Sequence, residues 1–121
     1  MPVQSTELAL LLLFSLLLST GQVLFKLSAV RLPPLRSFAD LWLLPTSVSL
    51  WLAFFLYVGT SVLWVYLLQR VPLKQAYPFV SLAFVLVPIA AWQIFGEPLG
   101  LRYLAGTALI VLGVYLTGTA A

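Results

Sequence analysis

Nine charged residues punctuate the chain: Glu7, Lys26, Arg31, Arg36, Asp40, Arg70, Lys74, Glu97 and Arg102. Between them lie uncharged runs at 8–25, 41–69, 75–96 and 103–121, of 18, 29, 22 and 19 residues. About 20 mostly apolar residues make a helix that crosses the hydrocarbon of a bilayer. None of the runs alternates apolar and polar positions as the roughly ten-residue strands of a membrane barrel do. Helices satisfy their own backbone groups in lipid. The pattern therefore predicts an all-α membrane protein, a single domain over 1–121, with four transmembrane helices near 6–30, 47–69, 75–95 and 99–119. The first run has the length of a signal-peptide core. Glu7 precedes it, with no Lys or Arg, so it reads as a span.

The connections carry their own signals. In "RLPPLRSFADLWLLPTS", Pro33 and Pro34 stop the first helix, because each lacks a donor and restricts the residue before it. "SFADLWLL" suits a short interfacial helix with Ser37 as its N-cap, and Trp42 and Trp51 suit the headgroup layer. "RVPLK" is tight enough to make helices two and three antiparallel neighbours. In "GEPLG", Gly96 is expected to end helix three and Pro98 to occupy the first turn of helix four. The positive-inside rule narrowly favours a cytoplasmic position for the loops 31–40 and 96–102, over that holding Arg70 and Lys74.

Composition agrees with lipid as the solvent. The chain is 63% hydrophobic and 7% charged, against roughly a quarter charged in soluble domains. A domain this small could not hide so much apolar surface from water. Without cysteine there are no disulfides or thiolate metal sites, and without histidine the commonest metal ligand is missing. A net charge of +3, scattered along the chain, does not suit nucleic acid. No nucleophile–base pair, metal cluster or phosphate loop is visible, so no enzyme, metal or cofactor is expected.

Polar residues inside the spans then become the candidates. Ser15, Ser19, Gln22 and Lys26 follow spacings of 4, 3 and 4 and share one face of helix one. Such a stripe is unfavourable against lipid and should meet other helices or a wet cavity. In one reading the serines and Gln22 bond neighbouring helices while Lys26 snorkels to the interface. In the other, Lys26 and Gln22 receive an anionic headgroup. Helix three carries Tyr77 and Ser81 on one face, continued by Phe84 and Pro88, and Pro88 is a candidate kink and hinge. Helix four presents Gly106, Gly113 and Thr117 as a small-residue packing face, for a helix of this subunit or of a second one. Glu97 stands at a helix end, where it suits the dipole and a pairing with Arg102, or a substrate amine.

The stretch "AYPFVSLAFVLVPIAAWQIFGEPLGLRYLAGTALIVLGVYL" resembles the drug/metabolite transporter superfamily, in particular its small four-helix branch. The resemblance is carried by "AYP", by "FGEPL", by Gly106, Gly113 and Val114, and by Gly21, Gln22 and Lys26 in helix one. It implies a small multidrug resistance/EamA-like bundle that works as a dimer. The drug exporters of that branch keep a glutamate eight residues before the helix-one lysine and a tryptophan three residues after the helix-three tyrosine. Here those positions hold Leu18 and Val80, so the coupling acid of drug–proton exchange is missing. "GQ…K", "LPP" and "LLQRVPLKQAYPFVSLAFVLV" are closer to the paired subunits that flip aminoarabinose-phospho-undecaprenol. That resemblance implies a flippase for a polyprenyl-phosphate-linked sugar in the bacterial inner membrane, serving envelope glycolipid modification. It would work as a homodimer or with a similar four-helix partner. Lys26 and Gln22 would then hold the phosphate, with Arg102 or Lys74 at the entrances; Tyr77, Ser81 and Glu97 would meet the sugar, and Ser19 would belong to the same substrate-binding set. A small-solute or cationic drug exporter, and an accessory membrane subunit of an envelope enzyme, are the competing expectations.

Overall fold

The computed structural model describes residues 4–119. Five α-helices follow one another: α1 Ser5–Arg31, α2 Val48–Leu68, α3 Leu73–Val80, α4 Ala83–Phe95 and α5 Leu101–Thr119. A 3-10 segment, Phe38–Thr46, lies between α1 and α2. Four stretches are long and apolar enough to cross a membrane: Ser5–Arg31, Val48–Leu68, Leu73–Phe95 and Leu101–Gly118. The third is made by α3 and α4 together. Among the described residues there is no strand.

Local chemistry sets the ends. The Glu7 carboxylate accepts the Gln4 amide at 3.1 Å, a favourable charge at the start of α1. After Leu32 the two prolines hold the chain extended. The segment after them is 3-10 rather than α-helical, with Asp40 N–H donating to Ser37 O at 3.0 Å. Ser37 stands at its N-cap, yet the Asp40 carboxylate makes the cap. It accepts from Arg36 N–H at 2.8 Å and Ser37 N–H at 3.2 Å. Ser47 caps α2, accepting from Leu50 N–H at 3.2 Å. Gly96 ends α4 in the left-handed conformation, φ 68°, which a residue with a Cβ adopts only at a cost. Pro98 is not in the first turn of the last helix. That helix begins at Leu101, and Gly100 O accepts its first bond, from Leu104 N–H at 3.0 Å.

The third span is interrupted at Ser81–Leu82, while α4 runs unbroken across Pro88. The break in α-helical structure thus lies six to seven residues before Pro88, and serine hydroxyls accompany it. Ser81 Oγ–H bonds to Pro78 O, and Ser15 Oγ–H reaches from α1 to Phe79 O. The same two carbonyls also accept the Ser81 and Leu82 amides, and the amides of Phe84 and Val85 likewise bond three residues back. A stretch of i→i+3 bonds of this kind is where a helix changes direction.

The core sits at one end of the bundle. Leu11 and Phe14 of α1 pack with Leu67, Val71 and Ala76 around the α2–α3 turn. Phe14 stacks on Trp64 with ring centroids 4.6 Å apart. Midway along, Gly21 faces α2, where a Cβ would make ordinary van der Waals contact with Leu56 at 3.9 Å. Toward the other end, Ser28 Oγ and Ser49 Oγ are 2.7 Å apart and join α1 to the start of α2. Most of the outer surface of α2 and α5 is large, apolar and exposed, as expected for a lipid-facing surface. Trp51 anchors the edge of that surface. Its indole N–H donates to Pro45 O at 2.9 Å, and its ring stacks on Phe55 at 6.0 Å.

Candidate functional site

The polar stripe of α1 divides by depth. Ser15 and Ser19 are buried at the packed end. Ser15 bonds to Leu11 O and Phe79 O, and Ser19 Oγ–H donates to Ser15 O at 2.8 Å. Gln22 and Lys26, further along, are exposed. They line a cleft of about 390 Å³ between α1 and α4, within the roughly 300–1,000 Å³ typical of small-molecule sites. Its walls are Val23, Phe25 and Ala29 from α1 and Val87, Ala91 and Phe95 from α4. The α4 residues recur every four positions, so one helical face supplies a whole apolar wall.

Glu97 closes the list of polar groups in the cleft. It lies just past Gly96, whose left-handed turn redirects the chain, and its own N–H donates to Ala91 O at 3.3 Å. This places Glu97 Oε2 3.8 Å from Lys26 Nζ, with both side chains 49% exposed. The expected pairing with Arg102 is replaced by one with Lys26. An ion pair this open contributes little to folding, about 0–1 kcal/mol. Its interest is chemical: a cation, an anion and an amide share a mouth otherwise lined by hydrocarbon.

Of the residues singled out for substrate, the structure brings Lys26, Gln22 and Glu97 together. Ser19 is absent from the lining, its hydroxyl spent on its own helix. Ser81 is engaged at the helix interruption, and Tyr77 is exposed on α3. Eleven residues, about 16 Å of helix, separate Ser15, which touches the interruption, from Lys26. Arg102 is exposed in the first turn of α5, outside the lining. On α5, a Cβ at Gly106 or Gly113 would meet nothing within 4 Å, so this face is not packed within the subunit. Thr117 Oγ–H bonds back to Gly113 O at 3.1 Å and Val114 O at 2.9 Å. The wall residues Val87, Ala91 and Phe95 escaped notice in the sequence, although their spacing of four was visible there. Among the described residues, no group of His, Cys, Asp or Glu could hold a metal.

Comparison with known proteins gives these features a family. The EamA-like transporter family matches residues 6–119. A protein of Pseudomonas aeruginosa named "Probable 4-amino-4-deoxy-L-arabinose-phosphoundecaprenol flippase subunit" is 51% identical over 72 residues, 59% of this chain and 62% of the relative. The chain thus spans less than two thirds of that relative in the match. A protein of the same name from Escherichia fergusonii is 39% identical over 111 residues, 90% of this chain and 94% of the relative. No solved structure matches. Together with the four spans, these relatives make the chain a multi-pass protein of the bacterial inner membrane.

Proposed function

Because the chain belongs to the EamA-like transporter family, we propose that it is a subunit of a flippase for a polyprenyl-phosphate-linked sugar, the activity named for its relatives. The observation that carries this reading is the cleft in which Lys26, Gln22 and Glu97 converge between apolar walls. Such a substrate has an anionic phosphate, a hydroxyl-rich head and a long apolar tail. Lys26 offers the phosphate a cation and Gln22 two amide donors. Glu97 accepts from the sugar. The tail stays in the bilayer while the head crosses. The acids of the described chain are Glu7, Asp40 and Glu97, all at helix ends or in connections. No carboxylate stands deep in a span to couple a proton, which favours lipid over cationic-drug transport.

One subunit supplies too few helices to enclose the headgroup, so a second, identical or similar, completes the passage. Its natural seat is the open Gly106–Gly113 face of α5. In proteoliposomes, Lys26→Ala is expected to lower headgroup translocation about tenfold or more, the effect of one lost charge-assisted bond, with an unchanged unfolding curve. Unaltered translocation would remove Lys26, and with it this cleft, from the mechanism.

A further inference from the structure

We propose that the Lys26–Glu97 ion pair is the headgroup selector of this site. A zwitterionic head displaces it, phosphate taking Lys26 and ammonium taking Glu97, so Glu97 imposes the requirement for an amine. The inference rests on the flippase reading of the same cleft.

Geometry carries it. At 3.8 Å the two charges are in ionic contact but beyond the roughly 2.7–3.2 Å of an N–H···O hydrogen bond. No hydrogen bond from either side chain to another described residue is present. The surrounding walls are hydrocarbon, so within the cleft each charge has only the other for a charged partner. Both are able to give way. Lys26 sits on a four-carbon stem, and Glu97 lies in the connection after Gly96 rather than inside a helix. An anion alone would draw Lys26 off and leave the Glu97 carboxylate unpaired beside a phosphate, an unfavourable arrangement in a mouth this apolar. A head with both charges exchanges one ion pair for two and leaves the net charge of the site unchanged. The pair therefore admits zwitterions and resists simple anions.

The test uses the full chain, with any subunit that co-purifies, in proteoliposomes. Two probes share one lipid: 4-amino-4-deoxy-L-arabinose-phosphoundecaprenol and its N-acetyl form, in which the amine is uncharged. The wild type is expected to move the amine form roughly ten- to hundredfold faster, the range of one charge-assisted bond. Glu97→Gln is expected to bring both probes to one rate, and Glu97→Asp to keep a preference. Should Glu97→Gln fail to fold, Glu97→Asp decides: a preference no smaller than about tenfold supports the selector and its loss overturns it. A wild type that moves both probes equally, or a folded Glu97→Gln that keeps the preference, overturns the selector and leaves the flippase reading standing. A wild type that moves neither overturns both.

Discussion

Three serine hydroxyls join the start of α2 to α1 in a chain whose direction is assigned with one proton per hydroxyl. Ser28 Oγ–H donates to Leu24 O at 2.9 Å, and with that proton so used Ser49 is the donor at their 2.7 Å contact. That spends the one proton of Ser49, and Ser47 therefore donates to it at 3.1 Å. Ser47 is left as the acceptor for Leu50 N–H at 3.2 Å. Ser49→Ala breaks the run in the middle and orphans the Ser47 proton in a buried place. The expected loss is about 1 kcal/mol, read as an earlier unfolding midpoint in detergent micelles; an unmoved midpoint would show that the run carries no stability. Residues of this kind were hidden in the sequence, where Ser28 and Ser49 are lone polar letters on separate helices. Lys26 and Gln22 were legible because α-helical spacing put them on one face. The partner of Lys26 was not, since Glu97 reaches it only through the turn at Gly96, whereas the nearby Arg102 looked closer along the chain.

Among the elements, the long spans were legible and the interruption of the third was not. Charge placement marked the spans because charges are excluded from hydrocarbon, a strong and one-dimensional constraint. Proline marks where a helix loses a donor, and so pointed at Pro88. The observed interruption involves a serine on the same segment and another on α1, and the second contact is tertiary. Ser81 Oγ–H occupies Pro78 O, the carbonyl four residues before Leu82, so Ser81→Ala frees it for the Leu82 amide. Amide hydrogen exchange at Leu82 should then slow by roughly tenfold, about the worth of one backbone bond. Exchange rates equal to wild type would assign the interruption to other causes.

For the molecule as a whole, packing is uneven: the α2–α3 turn end is closed and the Lys26–Glu97 end is open. In lipid the closed end receives no hydrophobic drive, because tails are as apolar as leucine, so van der Waals fit and hydrogen bonds hold it. The open glycine face of α5 belongs to the same scale. Gly113→Leu is expected to cut the yield of crosslinked dimer in native membranes about tenfold. Undiminished dimer would move the interface to another face, and a wild type found solely as monomer would defeat the two-subunit passage.

The contact between Ser15 and the Phe79 carbonyl has a bearing on energy supply. It joins α1 to the third span at the closed end through an alcohol and a peptide oxygen, neither of which takes up or sheds a proton under cellular conditions. The motive force across the membrane has no handle on such a contact. If the chain is the flippase subunit proposed above and this contact gates it, flux is expected to follow the difference in lipid abundance between leaflets. A protonophore added to loaded vesicles is expected to leave that flux unchanged; a collapse of flux would place a titrating group on the contact or in its control.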